Sequence, residues 1–178
     1  MFIDLLRKRR SIRRFQERTI EPEKIDTLVE AMLRSPSSRG INPWNFIVVT
    51  DRDLMSRLAQ AKTHGSAFLV NAPLAIVVCG DSAKSDVWIE DTSIASLVLH
   101  LCSTDLGLGS CWIQIRQRQH NDRTESEAYV RDTLDIRPDL RVEAIVAIGY
   151  PAEEKKGHDS ATLNYACISY ETYGKSTP

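Results

Sequence analysis

Two rhythms of apolar positions run along this chain, and each assigns its own elements. After Glu21-Pro22-Glu23, which places a proline and acids in a first helical turn, Ile25, Leu28, Val29, Met32 and Leu33 recur at the spacing of one helix face. That helix is predicted to stop at Ser35-Pro36. Phe46 to Thr50 is a short apolar run and predicts a buried strand. Asp51 then caps a helix predicted to reach about Lys62, with Leu54, Met55, Leu58 and Ala61 facing inward. A short apolar segment, Ala67 to Val70, leads through Asn71-Ala72-Pro73 into a predicted strand from Leu74 to Cys79. The longest helical stretch runs from Trp88 to about Asp105. Its Ile94, Ala95, Leu97, Val98, Leu99, Leu101 and Cys102 cover most of the circumference, which predicts a central helix buried on several sides.

Past Gly107-Leu108-Gly109-Ser110, the segment Cys111 to Ile115 is predicted to be a third strand or an extended loop. A helix is expected over about Thr124 to Leu134, and Pro138 prevents its continuation. Val142 to Tyr150 makes a fourth strand. Short strands alternating with longer helices give an α/β or α+β sheet covered by helices. The tail from Pro151 onward has no helical period, but Ile168, Tyr170 and Tyr173 suggest alternation. It can add a strand to another subunit's sheet or pack back on its own domain, and composition does not choose.

Composition narrows the class. At 178 residues the chain is predicted to be one domain, spanning 1–178 with 151–178 as a tail. A hydrophobic content of 42%, a charged content of 26% and a net charge of −1 describe a globular chain with no overall field for nucleic acid or membrane. Cys79, Cys102, Cys111 and Cys167 form no C-x-x-C pair, which argues for a reducing compartment and against a zinc site or disulfide framework. No apolar stretch is long enough to span a bilayer and the first residues carry charges, so the expected location is the cytoplasm.

Charge is unevenly placed within that near-neutral total. Seven of the 23 basic residues lie between Arg7 and Arg18. They follow a short helical segment carrying Phe2, Leu5 and Leu6, so they can simply complement a helix dipole. They also suit a phosphate, because guanidinium forks bind its oxygens in pairs and Ser11 adds a neutral donor. Other chemistries find no support. There is no H-E-x-x-H, no G-x-S-x-G, no Walker loop, and no G-x-G-x-x-G after the first strand. Asp91 on the long helix reads as a buried or interface acid with a structural role.

Four features stand in order: Arg9-Arg10-Ser11-Ile12-Arg13; Pro36-Ser37-Ser38 running into Pro43-Trp44-Asn45-Phe46; Gly107-Leu108-Gly109-Ser110-Cys111-Trp112-Ile113 after the long helix; and Lys155-Lys156 past the last strand. Here the chain resembles the FMN-dependent nitroreductase family, from Arg9 to Tyr173. The resemblance implies an α+β fold, a nitroreductase-like mixed sheet flanked by helices, forming a homodimer with FMN at the subunit interface and a tail contacting the partner. It implies that Arg9 and Ser11 serve the flavin phosphate, with Arg10 alongside, and that Arg13 lies by the pyrimidine edge. Pro36, Ser37, Ser38 and Asn42 would reach the flavin from the other subunit. Trp112, Ile113 and Gln114 would run along the ring, and Lys155 or Lys156 would complete the phosphate site. Gly40 and Asn42 stand where the family often has asparagine and glutamine, so a shorter amide replaces one flavin contact. The activity implied is ping-pong transfer of two electrons from NADH or NADPH, through flavin N5, to a nitroaromatic, quinone or similar acceptor. A non-catalytic flavin-binding or sensing module, and a specialised flavin reductase, dehydrogenase or dehalogenase on the same scaffold, remain open. So does a flavin-free binder of RNA or another polyanion.

Overall fold

The apolar runs pair into a four-stranded sheet in a computed structural model that describes residues 1–176. Its strands are β1 (Trp44–Val49), β2 (Leu74–Asp81), β3 (Gly109–Gln114) and β4 (Leu140–Gly149), in the order β1-β2-β4-β3. All three strand pairs are antiparallel. Outside these strands, an isolated parallel bridge joins Ser11 to Ser110 at the free side of β3. The two central strands are buried along nearly their whole length, which explains why they read as unbroken apolar runs rather than alternations.

Helices cover both faces. On one, Met55 and Leu58 of α3 (Arg52–Leu58) and Val130 of α5 (Ser126–Leu134) pack on Ala75, Val77, Val142 and Ile145. On the other, Leu28 and Met32 of α2 (Pro22–Leu33) and Leu99 of α4 (Trp88–Asp105) pack on Leu74, Ile76, Val146 and Ile148. A short α1 (Phe2–Lys8) lies against α4 and delivers the chain into the basic segment.

Several expectations need correction. The third helix ends at Leu58 rather than Lys62, because Ala59 to Gly65 turn to meet a loop near Gln119. The Ala67–Asn71 segment is a 3-10 helix. Leu33, placed on the inner face by its spacing, is 57% exposed at the C-terminal end of α2. The central helix is apolar all round, yet the sheet, α1 and α2 leave Ile94 and Leu97 at 40% and 50% exposure in the single chain. The tail forms two 3-10 turns, Ser160–Thr162 and Tyr165–Cys167, and no strand among the described residues. From residue 156 to 176 it is exposed throughout; the expected tail's residues 177 and 178 lie outside the described residues.

Candidate functional site

Where the chain leaves α1 it runs beside the open edge of β3. Ile12 N–H donates to the Ser110 carbonyl at 2.9 Å, and Ile12 and Phe15 bury their side chains as anchors. Gly109 is required at this crossing: a Cβ there would sit 2.8 to 2.9 Å from Ile12 side-chain carbons. The returning tail closes the other side. Glu153 Oε1 accepts from the Arg13 and Arg14 backbone N–H groups at 2.6 and 3.2 Å, and its pKa is held down chiefly by the first of these. Lys155 Nζ donates to the Ser11 carbonyl at 2.9 Å and pairs with Glu153 at 3.2 Å. Ser11 therefore sits with Arg9, Arg13 and Lys155 around one strand edge.

The two late lysines are placed differently. Lys155 turns its ammonium to Ser11, whereas Lys156 is exposed and offers its carbonyl to Arg10. Among the described residues, no carboxylate pairs with Arg9 or Arg13; the Arg13 guanidinium lies 5.9 Å from the Phe68 ring centre. Arg9 and Arg13 flank Ser11 along the chain, and guanidinium groups without acidic partners among the described residues, a hydroxyl and a lysine together have the donor chemistry a phosphate monoester needs.

Strand alternation decides what β3 offers. The Ser110 carbonyl faces away from β4, so the backbone polar groups of Trp112 and Gln114 face that same open edge, and those of Cys111 and Ile113 face β4. Ile113 is 1% exposed with its side chain in the core, so it flanks the edge without reaching it. The Trp112 indole N–H donates to Gln114 Oε1 at 2.9 Å.

The serine loop lies elsewhere. Ser38 N–H donates to Asp91 Oδ1 at 2.8 Å near the start of α4, giving that buried acid the partner its sequence could not reveal. Ser37 Oγ donates to Asn42 Oδ1 at 2.7 Å and accepts from Asn42 N–H at 2.9 Å, which closes the loop on itself. Asn42 and Arg39 hold left-handed conformations at φ 50° and 55°, and Arg39 is tied to Asp86 by an ion pair. Pro36 leads into this loop.

At the opposite end of the helix, His100 Nδ1 lies 2.7 Å from Ser110 Oγ. Burial, with Arg9 nearby, pushes the His100 pKa down to about 4, so the ring is neutral. Asp91 and His100 are nine residues apart, which is roughly 13 Å along the helix and half a turn around it. The serine loop and the arginine edge of one chain therefore do not meet.

Sequence reasoning missed Glu153, His100 and Ser110 as supports of this edge. Only Ser110 stood inside a quoted motif; Glu153 carried no signal beyond being two residues before Lys155.

Comparison with known proteins places this architecture. The nitroreductase family profile matches residues 6–65. A protein of Archaeoglobus fulgidus described as "Putative NADH dehydrogenase/NAD(P)H nitroreductase" is 34% identical over 162 residues, 89% of this chain and 90% of its own. The structure of an FMN-dependent nitroreductase from Clostridium difficile R20291 superposes with a TM-score of 0.95 at 45% identity, covering 96% of this chain and 99% of that one. A nitroreductase family protein from Clostridium difficile 630 gives 0.81 at 26% identity, over 97% and 99% of the two chains. The chain belongs to the nitroreductase family, and its fold is that of an oxidoreductase.

Proposed function

We propose that this protein is an FMN-dependent NAD(P)H oxidoreductase of the nitroreductase type, one domain per chain, acting as a homodimer that shares its sites between copies. The observation that carries this is the unpaired Arg9 and Arg13 set beside Ser11 and Lys155 on the open edge of β3. Arg9, Ser11 and Lys155 hold the phosphate, with Arg10 fastening the tail; Arg13 supplies a cation to the ring's pyrimidine edge. The backbone donors of Trp112 and Gln114, which face the open edge, would be available to the ring. The chemistry FMN supplies when bound is two-electron storage, loaded from a reduced nicotinamide and unloaded to a conjugated acceptor. Donor and acceptor bind in turn, in a ping-pong order.

The second copy supplies Pro36, Ser37, Ser38 and Asn42, since α4 keeps a chain's own loop away from its own arginines. Uncovered apolar residues support the dimer: Phe2, Ile94 and Leu97 are 65%, 40% and 50% exposed, and Leu163 and Tyr165 add to them. A cavity of about 660 Å³ between α1 and α4, lined by Phe2, Leu5, Val98 and Leu101, lies in this apolar region and not over the arginines. No helix among the described residues is long and apolar enough to cross a membrane, and free cysteines suit a cytoplasmic setting.

An anaerobic visible spectrum before and after NADH or NADPH tests the reading. A yellow protein that bleaches supports it; a colourless protein that takes up no FMN ends it. Subunit mixing tests the shared site. Arg9→Ala and Ser38→Pro chains, each impaired alone, should regain FMN binding when mixed, whereas two defects in one shared path would stay impaired.

A further inference from the structure

Beneath the open edge of β3 is a carboxyl group that the proposed reaction does not use. Glu143 of β4 is 3% exposed, and its Oε2 has no hydrogen-bond partner among the described residues. Its Oε1 accepts from Gln114 Nε2 at 3.3 Å, and the same amide nitrogen donates to the Arg116 carbonyl at 3.2 Å. Gln114 Oε1 in turn accepts the Trp112 indole proton at 2.9 Å. That last bond fixes the amide's orientation, because a flipped Gln114 would set two donors against each other. The result is a continuous hydrogen-bonded path from a buried carboxyl to the two side chains flanking the edge donors.

We propose that Glu143 is a positioning residue which, through Gln114 and Trp112, couples its own proton to the affinity and reduction potential of FMN at the β3 edge. This rests on the flavin site proposed above. When Glu143 is neutral, the path ends in a group that accepts one weak hydrogen bond and adds no field. When it ionises, a buried negative charge lies behind Gln114. Reduced FMN gains electron density, so that charge disfavours the reduced form and pulls Gln114 toward the carboxylate and away from the edge.

The surroundings favour proton retention. Burial is the largest influence and raises the Glu143 pKa, opposed by the Gln114 amide and by Arg116 just past β3. Glu127 of α5 and Glu90 of α4 add like charge from the helices on either side; Glu127 is itself neutralised by Arg141 at 2.6 Å. No cation pairs directly with Glu143 among the described residues, so its proton has no local substitute.

Two titrations test the idea, one without flavin. In the apoprotein, tryptophan emission followed against pH should show a break in the wild type. Glu143→Gln, Gln114→Leu and Trp112→Phe should each abolish it, the second by cutting the path while leaving the carboxyl in place. In the FMN-loaded protein, midpoint potentials of wild type and Glu143→Gln should coincide at acid pH. They should separate as pH rises, with the wild type lower by about tenfold in the redox equilibrium, or about 30 mV for two electrons. A break that survives in Glu143→Gln, or potentials that run parallel across the range, would overturn the proposal. If the chain takes up no FMN, the flavin reading fails, while the emission titration still decides whether Glu143 reaches Trp112.

Discussion

The arginine edge and the serine loop are built on opposite principles. At the edge, two guanidinium groups have no acidic partners among the described residues, and the supporting groups (Glu153, Ser110, Lys155) hold backbone in place. In the loop, nearly everything offered is already taken: Ser37 and Asn42 satisfy each other, and Asp91 takes the Ser38 N–H. The first region is charged and has donors suited to an anion; the second is a preformed shape. A ligand would get its binding energy from one and its fit from the other, and nine residues and a half turn of α4 separate them.

The largest test of this contrast is acid. Unfolded His100 takes a proton near its ordinary 6.5, whereas the folded ring does not until about 4. Its contribution is therefore intact above pH 6.5 and is lost as pH falls toward 4, by roughly 3 kcal/mol in all. Hydrogen exchange should show the Ile12 amide losing protection over that window before the Ser38 amide does. Equal loss at both would remove the distinction. A wild-type stability slope retained in His100→Gln would assign it to other groups.

Removing Asp91 should do the reverse. Asp91→Ala leaves the Ser38 N–H without its buried acceptor and should cost about 2 kcal/mol, with faster exchange at Ser38 and none at Ile12. Gly109→Ala comes next. The added carbon meets Ile12 near its branch point rather than at a flexible tip, so the basic segment must move off β3. A loss of about 1 to 2 kcal/mol with weakened FMN uptake is expected by denaturant titration and equilibrium dialysis. The smallest effect is the sharpest. Arg9→Ala should weaken FMN retention about tenfold, the order of one charge-assisted hydrogen bond. Arg13→Ala should slow reduction by NAD(P)H more than it weakens retention. Matching effects of both changes on both quantities would defeat the assigned roles.

Much of this was legible along the chain. The runs in β2 and β4 needed only apolar continuity, and α4 kept its expected limits. The basic segment announced itself by charge density, and four motifs in order named the family resemblance. What stayed hidden depends on contacts between distant positions. Lys155 and Lys156 are identical to any pattern; register against Ser11 separates them. Glu143 sits two residues into a run otherwise apolar, and only pairing of β4 with β3 shows that it ends beneath Gln114. Leu33 falls on the inner face by period, and Leu97 belongs to a helix whose apolar cover goes most of the way round; neither pattern says what covers the residue.

The half turn of α4 between Asp91 and His100 also has a consequence for dosage. In the proposed dimer, a site assembled from two copies exists only while two copies are together. Below the concentration at which the pair separates, the number of working sites falls with the square of the number of chains, so halving expression quarters the output. Such a protein would be nearly silent when scarce and fully active once abundant, with its own synthesis as the control.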